Sequence, residues 1–215
     1  MNRHSSEVLL VLNAGSSSLK FGLFGLSGDE GEPRPIALGT ARPRTQDSYA
    51  VRVAREDGRQ SEDQIWSGST AEDIVRTLLG WIGQQSEFGE VVAVGHRIVH
   101  GGAEFHEPTI IDDTILDRLA ALVPLAPLHQ SACLGPVQLI HALRPALRQY
   151  ACFDTAFHRT IEPPAGRYAL PRHFEAEGIR HYGFHGLSFE SVAAQLRNEG
   201  GAAVAKERII IAHLG

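Results

Sequence analysis

The chain has 215 residues, 43% hydrophobic and 21% charged, which excludes a disordered or collagen-like polymer and leaves one large domain or one and a half. Twenty-five acids against 20 Lys and Arg give a net charge of −5, the wrong sign for a protein built on phosphate-backbone contacts, so no nucleic acid partner is expected. Two cysteines, Cys133 and Cys152, a polar opening at Met1–Glu7 and the lack of any apolar run near 18 residues lead to a cytoplasmic chain with no membrane span as the expectation.

Val8–Leu12 is a short apolar run stopped by Asn13-Ala14-Gly15 and three serines, and Leu19, Phe21, Leu23 and Leu26 resume it. Two strands joined by a polar turn follow. Ile36–Ala41 and Tyr49–Val53 read as further strands, so the chain opens on an antiparallel meander. Ile74, Leu78, Trp81 and Ile82 then recur at helical spacing, with Ser69 or Thr70 at the cap. Val91–Gly95 reads as a buried strand. Ile115, Leu116, Leu119 and Leu122 mark a helix closed by Pro124, and Val137–Leu143 belongs to a third helix that Pro145 ends.

Tyr150–Phe153 reads as a strand stopping at Asp154. Beyond it the composition shifts to His, Pro and Gly, then to a helix over about Leu187–Asn198 and a strand over Arg208–Ala212. Strands alternating with helices after an initial meander define the α/β class with a mixed sheet. A first domain over 1–154 and the beginning of a second over 155–215 are the expected divisions.

Four constellations could carry chemistry. In Asn13-Ala14-Gly15-Ser16-Ser17-Ser18-Leu19-Lys20, small residues let a ligand approach the backbone and Lys20 offers a point charge for phosphate. Lys20 and Lys206 are the sole lysines in an arginine-rich chain. A polar hairpin turn accounts for the same composition, and the spacing is not that of a Walker A loop. In Gly95–Gly102, a continuing strand would put Arg97 and Val99 on one face and His96, Ile98 and His100 on the other. An arginine beside a short apolar side chain can hold a carboxylate with its alkyl tail, although a surface ion pair is the commoner fate of an arginine.

Asp154 ends an apolar strand, where ligands of open α/β sheets gather, and reads as a base, a Mg²⁺-linked carboxylate or a plain turn residue. His181-Tyr182-Gly183-Phe184-His185-Gly186 precedes a helix, where imidazole donors can face an anion. The i, i+4 spacing of His96 with His100 and of His181 with His185 raises a metal-dependent hydrolase, but neither pair carries the acid of a His-Glu-x-x-His motif.

In this order the blocks resemble the acetate kinase family: Val8–Phe24, Gly95–Gly102, Pro124-Leu125-Ala126-Pro127-Leu128-His129, Cys152–His158 and Arg180–Ser188. The resemblance spans essentially the whole chain. It implies two ribonuclease H-like domains around a cleft, as in the acetate and sugar kinase, heat-shock 70 and actin superfamily. It also implies reversible transfer of the γ-phosphoryl group of ATP to acetate with Mg²⁺, giving acetyl phosphate and ADP, in a homodimer when full-length. Carried over residue by residue, Asn13, Ser16, Ser18 and Lys20 match the phosphate-side loop, with Asn13 also on the metal side. Arg97 matches the arginine that holds the acetate carboxylate. Val99, Leu128 and Phe184 match the pocket around its methyl group. Asp154 matches the essential aspartate, His185 the histidine that stabilises the transferring phosphoryl group, and His129 a further active-site histidine.

Two departures occur: Gly186 runs into Leu187-Ser188-Phe189, and His129 into Gln130-Ser131. Arg208–Gly215 resembles the strand leading into the family's adenosine-phosphate loop, whose continuation lies outside these residues. An N-terminal portion with no turnover of its own is therefore the expectation. A non-catalytic relic that binds carboxylate or phosphate and a propionate-preferring kinase are the alternatives.

Overall fold

The computed structural model describes residues 7–15, 17–26, 33–56, 63–204 and 207–214, with 201–204 as backbone. Ser16, Lys206 and Gly215 of the motifs above lie outside these residues. The chain divides into two compact units, Met1–Ile98 with Thr109–Cys152, and Val99–Pro108 with Phe153–Gly215.

The first unit opens on strands β1 (Glu7–Ala14), β2 (Leu19–Gly25), β3 (Arg34–Thr45), β4 (Ser48–Arg55) and β5 (Gln64–Ser67), followed by helix α1 (Ala71–Gly83) and strand β6 (Glu90–Ile98). After the excursion into the second unit come β7 (Thr109–Ile110), α2 (Asp113–Ala121), α3 (Pro127–Leu143) and β8 (Arg148–Phe153). The sheet order is β5-β4-β3-β2-β1-β6-β8-β7. The meander is antiparallel, while β1 pairs β6 in parallel. The sheet is therefore mixed and the fold α/β.

Alternation along β1 buries Val8, Leu10, Leu12 and Ala14 and turns Asn13 to the opposite face. Against the buried face packs α1 through Ile74, Val75, Leu78, Leu79 and Ile82. Its start is fixed by a capping box. Thr70 Oγ1 accepts from the Asp73 amide at 3.1 Å, and the Asp73 carboxylate accepts from the Ser69 and Thr70 amides at 3.0 and 3.1 Å. These amide donors hold the Asp73 carboxyl below its ordinary value.

Several elements differ from the sequence reading. Strand β5 carries too short an apolar pattern to declare itself. Its Trp66 earns the pairing by reaching the core, with ring centroids 6.3 Å from Phe21 and 6.0 Å from Trp81. Helix α3 starts at Pro127 and runs through Pro136. An interior proline forfeits one backbone bond, but Cys133, Leu134, Val137 and Ile140 are buried around it. Strand β6 ends at Ile98, so Val99 is not placed beside Arg97 by strand period.

The second unit consists of the loop Val99–Pro108, a 3-10 turn at Phe157–Thr160, a short helix α4 (Arg172–Ala176) and the long helix α5 (Gly186–Val204). Phe105 stacks on Phe153 at 5.3 Å, and Phe157 on Phe189 at 6.4 Å. The strand expected over Arg208–Ala212 does not form. Those residues carry no ladder among the described residues, and Ile210 is 95% exposed. A strand is a paired state, and apolar content without a neighbouring strand does not produce one.

Candidate active site

The assigned residues fall into two groups, one in each unit. In the first unit the turn after β1 is closed by the Gly15 amide donating to the Ser18 carbonyl at 2.9 Å. That bond returns the chain into β2, and the register sets Asn13 opposite Lys20. Directly opposed residues share a face, so the amide and the ammonium stand side by side on the face away from the core.

Leu12 pairs with His96 in the parallel ladder, which brings the next residue, Arg97, level with Asn13. Arg97 Nη1 donates to Asn13 Oδ1 at 3.2 Å. Three groups thus converge on one sheet face: a guanidinium fork, a carboxamide and an ammonium. A groove of about 600 Å³ continues from Lys20 past Thr40 and Arg42 to Arg52, whose guanidinium is tied in two bonds to Asp63.

His96 explains why Arg97 is presented as it is. Its ring is buried and Nε2 donates to Gln149 Oε1 at 2.8 Å, joining β6 to β8. Burial pushes His96 down to about 4, with the Gln149 bond opposing, so the imidazole is neutral near pH 7. Gln149 donates in turn to the Val137 carbonyl at 3.4 Å. Nothing in the apolar pattern of β8 marks Gln149 as the partner of a buried histidine.

Leu128 and His129 lie in the first turn of α3, both exposed, Leu128 at 81%. The first unit by itself therefore does not wrap Leu128 into a pocket.

In the second unit, Asp154 follows β8 in a turn and is buried, 2% exposed. Two bonds fix its surroundings. The Gly186 amide donates to the Asp154 carbonyl at 2.8 Å, and buried Thr155 accepts at Oγ1 from the Gly101 amide at 3.0 Å. The first ties the turn to the start of α5, and the second ties it to the glycines after Val99.

His185 stands immediately before α5 with a left-handed backbone, φ 58°, a conformation that costs a non-glycine residue of order 1–3 kcal/mol. Its carbonyl accepts from the Ser188 and Phe189 amides at 3.0 and 3.1 Å, which starts the helix. Its ring lies flat on His213, centroids 4.2 Å apart and planes within 3°. His213 was visible in the sequence only as part of the terminal block, not as a partner of His185.

Phe184 is 40% exposed and Val99 is buried. The Phe184 carbonyl accepts from His158 Nε2 at 2.8 Å, and its ring meets His100 edge-on at 5.7 Å. His100 is the missed member of this group. It is buried, accepts at Nδ1 from the Gly102 amide at 2.8 Å, and packs against Tyr182 at 4.4 Å. Burial lowers its pKa, so a neutral ring with its proton on Nε2 braces Tyr182 and Phe184.

Among the described residues no group of three His, Cys, Asp or Glu is arranged to hold a metal ion. Asn13 Oδ1 faces the Arg97 guanidinium instead. Nor is any helix of the described residues long and apolar enough to cross a membrane.

Comparison with known proteins adds a family. The model of the acetokinase family matches residues 8–215. The acetate kinase of Rhizobium meliloti is 45% identical over 217 residues, covering 97% of this chain and 53% of that protein. The acetate kinase of Streptomyces coelicolor is 40% identical over 215 residues, covering 98% and 52%. Among solved structures, a propionate kinase from Francisella tularensis superposes with a TM-score of 0.76 at 30% identity, over 90% of this chain and 49% of that one. Acetate kinase from Porphyromonas gingivalis gives 0.75 at 33% identity, over 95% and 51%. The chain spans about half the length of the relatives it matches.

Proposed function

The chain belongs to the acetokinase family, and from that premise we propose that it carries the acyl-substrate side of an acetate kinase: reversible transfer of the ATP γ-phosphoryl group to acetate. An acetate oxygen attacks the γ-phosphorus, the bond to the β,γ-bridging oxygen breaks, and acetyl phosphate and ADP leave. The carboxylate is already a nucleophile, so the protein has to position it and hold charge rather than remove a proton.

The observation that carries this reading is the Arg97–Asn13 bond on the sheet face shared with Lys20. Asn13 takes one guanidinium N–H and holds the fork in orientation, and the planar donor geometry of a guanidinium suits a carboxylate. Lys20, with Ser16 and Ser18 of the same loop, serves the phosphoryl oxygens. Val99, Leu128 and Phe184 are assigned to the methyl group of the acid, and His129 to the acyl substrate.

Asp154, buried and fixed through its backbone, is assigned to orientation. His185 is assigned to the equatorial oxygens of the transferring group. Its carbonyl starts α5 while its ring is supported by His213, which suits a donor that must not reorganise as charge moves.

Mg²⁺ is expected to enter with the nucleotide. If bound, such an ion would offset phosphate charge, with Asn13 the residue assigned to its side; the described residues do not form a cage for it, and none of the steps above is routed through it. Cytoplasmic residence and a homodimeric full-length protein belong to the same proposal.

A propionate preference is the second reading, favoured by the likeness to a propionate kinase. One methylene is worth only about 1–3 kcal/mol in an apolar pocket. Parallel binding titrations of the chain with acetate and with propionate test both readings, and trapping of the acyl phosphate as its hydroxamate, with ATP, Mg²⁺ and either acid, tests turnover. The 215 residues alone are expected to bind acid without turnover. Appreciable hydroxamate from the isolated chain would overturn that division of labour.

A further inference from the structure

The second unit contains a small pocket whose lining shares no residue with the assignments above. It holds about 40 Å³ and is lined by His106, Thr155, His158, Arg159, Arg180 and His181, closed in by glycine backbone and by Tyr182. A water needs roughly 10–15 Å³ measured this way. The space therefore suits about three waters, or one compact tetrahedral ion and nothing larger.

The chemistry of the walls is one-sided. Two arginines and three histidines line this space beside Ile161, and no carboxylate lines it among the described residues. The contrast with the neighbouring arginines is informative. Arg167 and Arg172 both bond to Glu175, at 3.0 and 3.3 Å, whereas Arg159 and Arg180 form no ion pair among the described residues. Like charges gathered without an acid repel one another unless an anion compensates them.

Two of the donors are also held in place. Arg180 lies over the Tyr182 ring, 5.6 Å from its centroid, a contact that fixes the guanidinium before any ligand arrives. Thr155 accepts at Oγ1 from the Gly101 amide, so its hydroxyl proton is left to donate elsewhere. Gly183 lets the His158 ring pack where a Cβ would collide with it.

We propose that this pocket is a binding site for a free tetrahedral oxyanion of the inorganic phosphate class, held by Arg159 and Arg180 with Thr155 at its base. The size of the space selects the free ion over a phosphate ester. The site goes beyond the acetate kinase reading and does not depend on it.

The test is a titration of the 215-residue chain with inorganic phosphate, followed by calorimetry, with phenyl phosphate as the ester arm. Phosphate is expected to bind saturably and phenyl phosphate at least tenfold more weakly. The double variant Arg159→Gln/Arg180→Gln should weaken phosphate about tenfold or more, since each charge-assisted bond is worth about a factor of ten. The pair Lys20→Gln/Arg97→Gln should leave it within about twofold. Circular dichroism checks the fold, and Arg159→Gln alone, at an exposed position, gives an independent reading should the double variant unfold. Absence of saturable binding overturns the proposal. So does binding that survives loss of both pocket arginines, that disappears with Lys20 and Arg97, or that favours the ester.

Discussion

The backbone amide of Gly186 donates to the carbonyl of Asp154 at 2.8 Å, and a Cβ on Gly186 would collide with that same carbonyl and crowd Phe157. The aspartate turn and the first residue of α5 are thus set by a contact only glycine permits. Gly186→Ala is expected to destabilise the protein by about 2 kcal/mol or more, through the lost bond and the displaced turn. Urea midpoints at fixed pH read the effect, and an unchanged midpoint would sever Asp154 from α5.

Gly80 gives the opposite sign. It sits in the exposed side of α1, with open space where a Cβ would stand. Gly80→Ala should raise stability by about 0.5–1 kcal/mol, because a helix-interior glycine carries excess unfolded-state freedom. The same urea titration checks it, and a lowered midpoint would contradict the placement of α1.

The buried bond between His96 and Gln149 predicts an acid limb. His96 has its pKa depressed to about 4 from an unfolded value near 6.5. The folded state therefore binds fewer protons, and this contribution is complete above about pH 6.5 and is lost as pH falls toward 4. Its ceiling is about 3 kcal/mol. Unfolding free energies of the protein and of His96→Gln at pH 7, 5.5 and 4 should diverge in slope across that window. Parallel slopes would show that His96 does not titrate with folding.

Asn13 and Arg97 form a unit on the sheet face, so their replacements should not add. Asn13→Ala and Arg97→Lys are each expected to weaken acetate binding about tenfold, and the double variant little more than either alone. Nuclear magnetic resonance titration with acetate measures all three. Additive losses would mean that Asn13 does not orient the arginine.

Much of this was readable from residue pattern alone. The hairpin of β1 and β2 follows from two apolar runs around small polar residues, and Thr70 and Asp73 spell out the capping box that starts α1. Local rules suffice there because the partners are three residues apart or directly opposed. Where the partner is distant the pattern was silent. Trp66 joins β5 to the sheet through Phe21 and Trp81, Gln149 answers His96 from 53 residues away, and His213 lies on His185 across all of α5. The apolar run at Arg208–Ala212 shows the converse: its composition is that of a strand, but the described residues give it no partner to pair with.

In the proposed function Arg97 holds the acid substrate. Modification of the 215-residue chain with an arginine-directed dicarbonyl reagent, followed by peptide mass spectrometry with and without acetate, tests it most directly. Saturating acetate is expected to slow modification of Arg97 while Arg42, exposed on the meander, reacts at its original rate. Equal rates at Arg97 with and without acetate would contradict it.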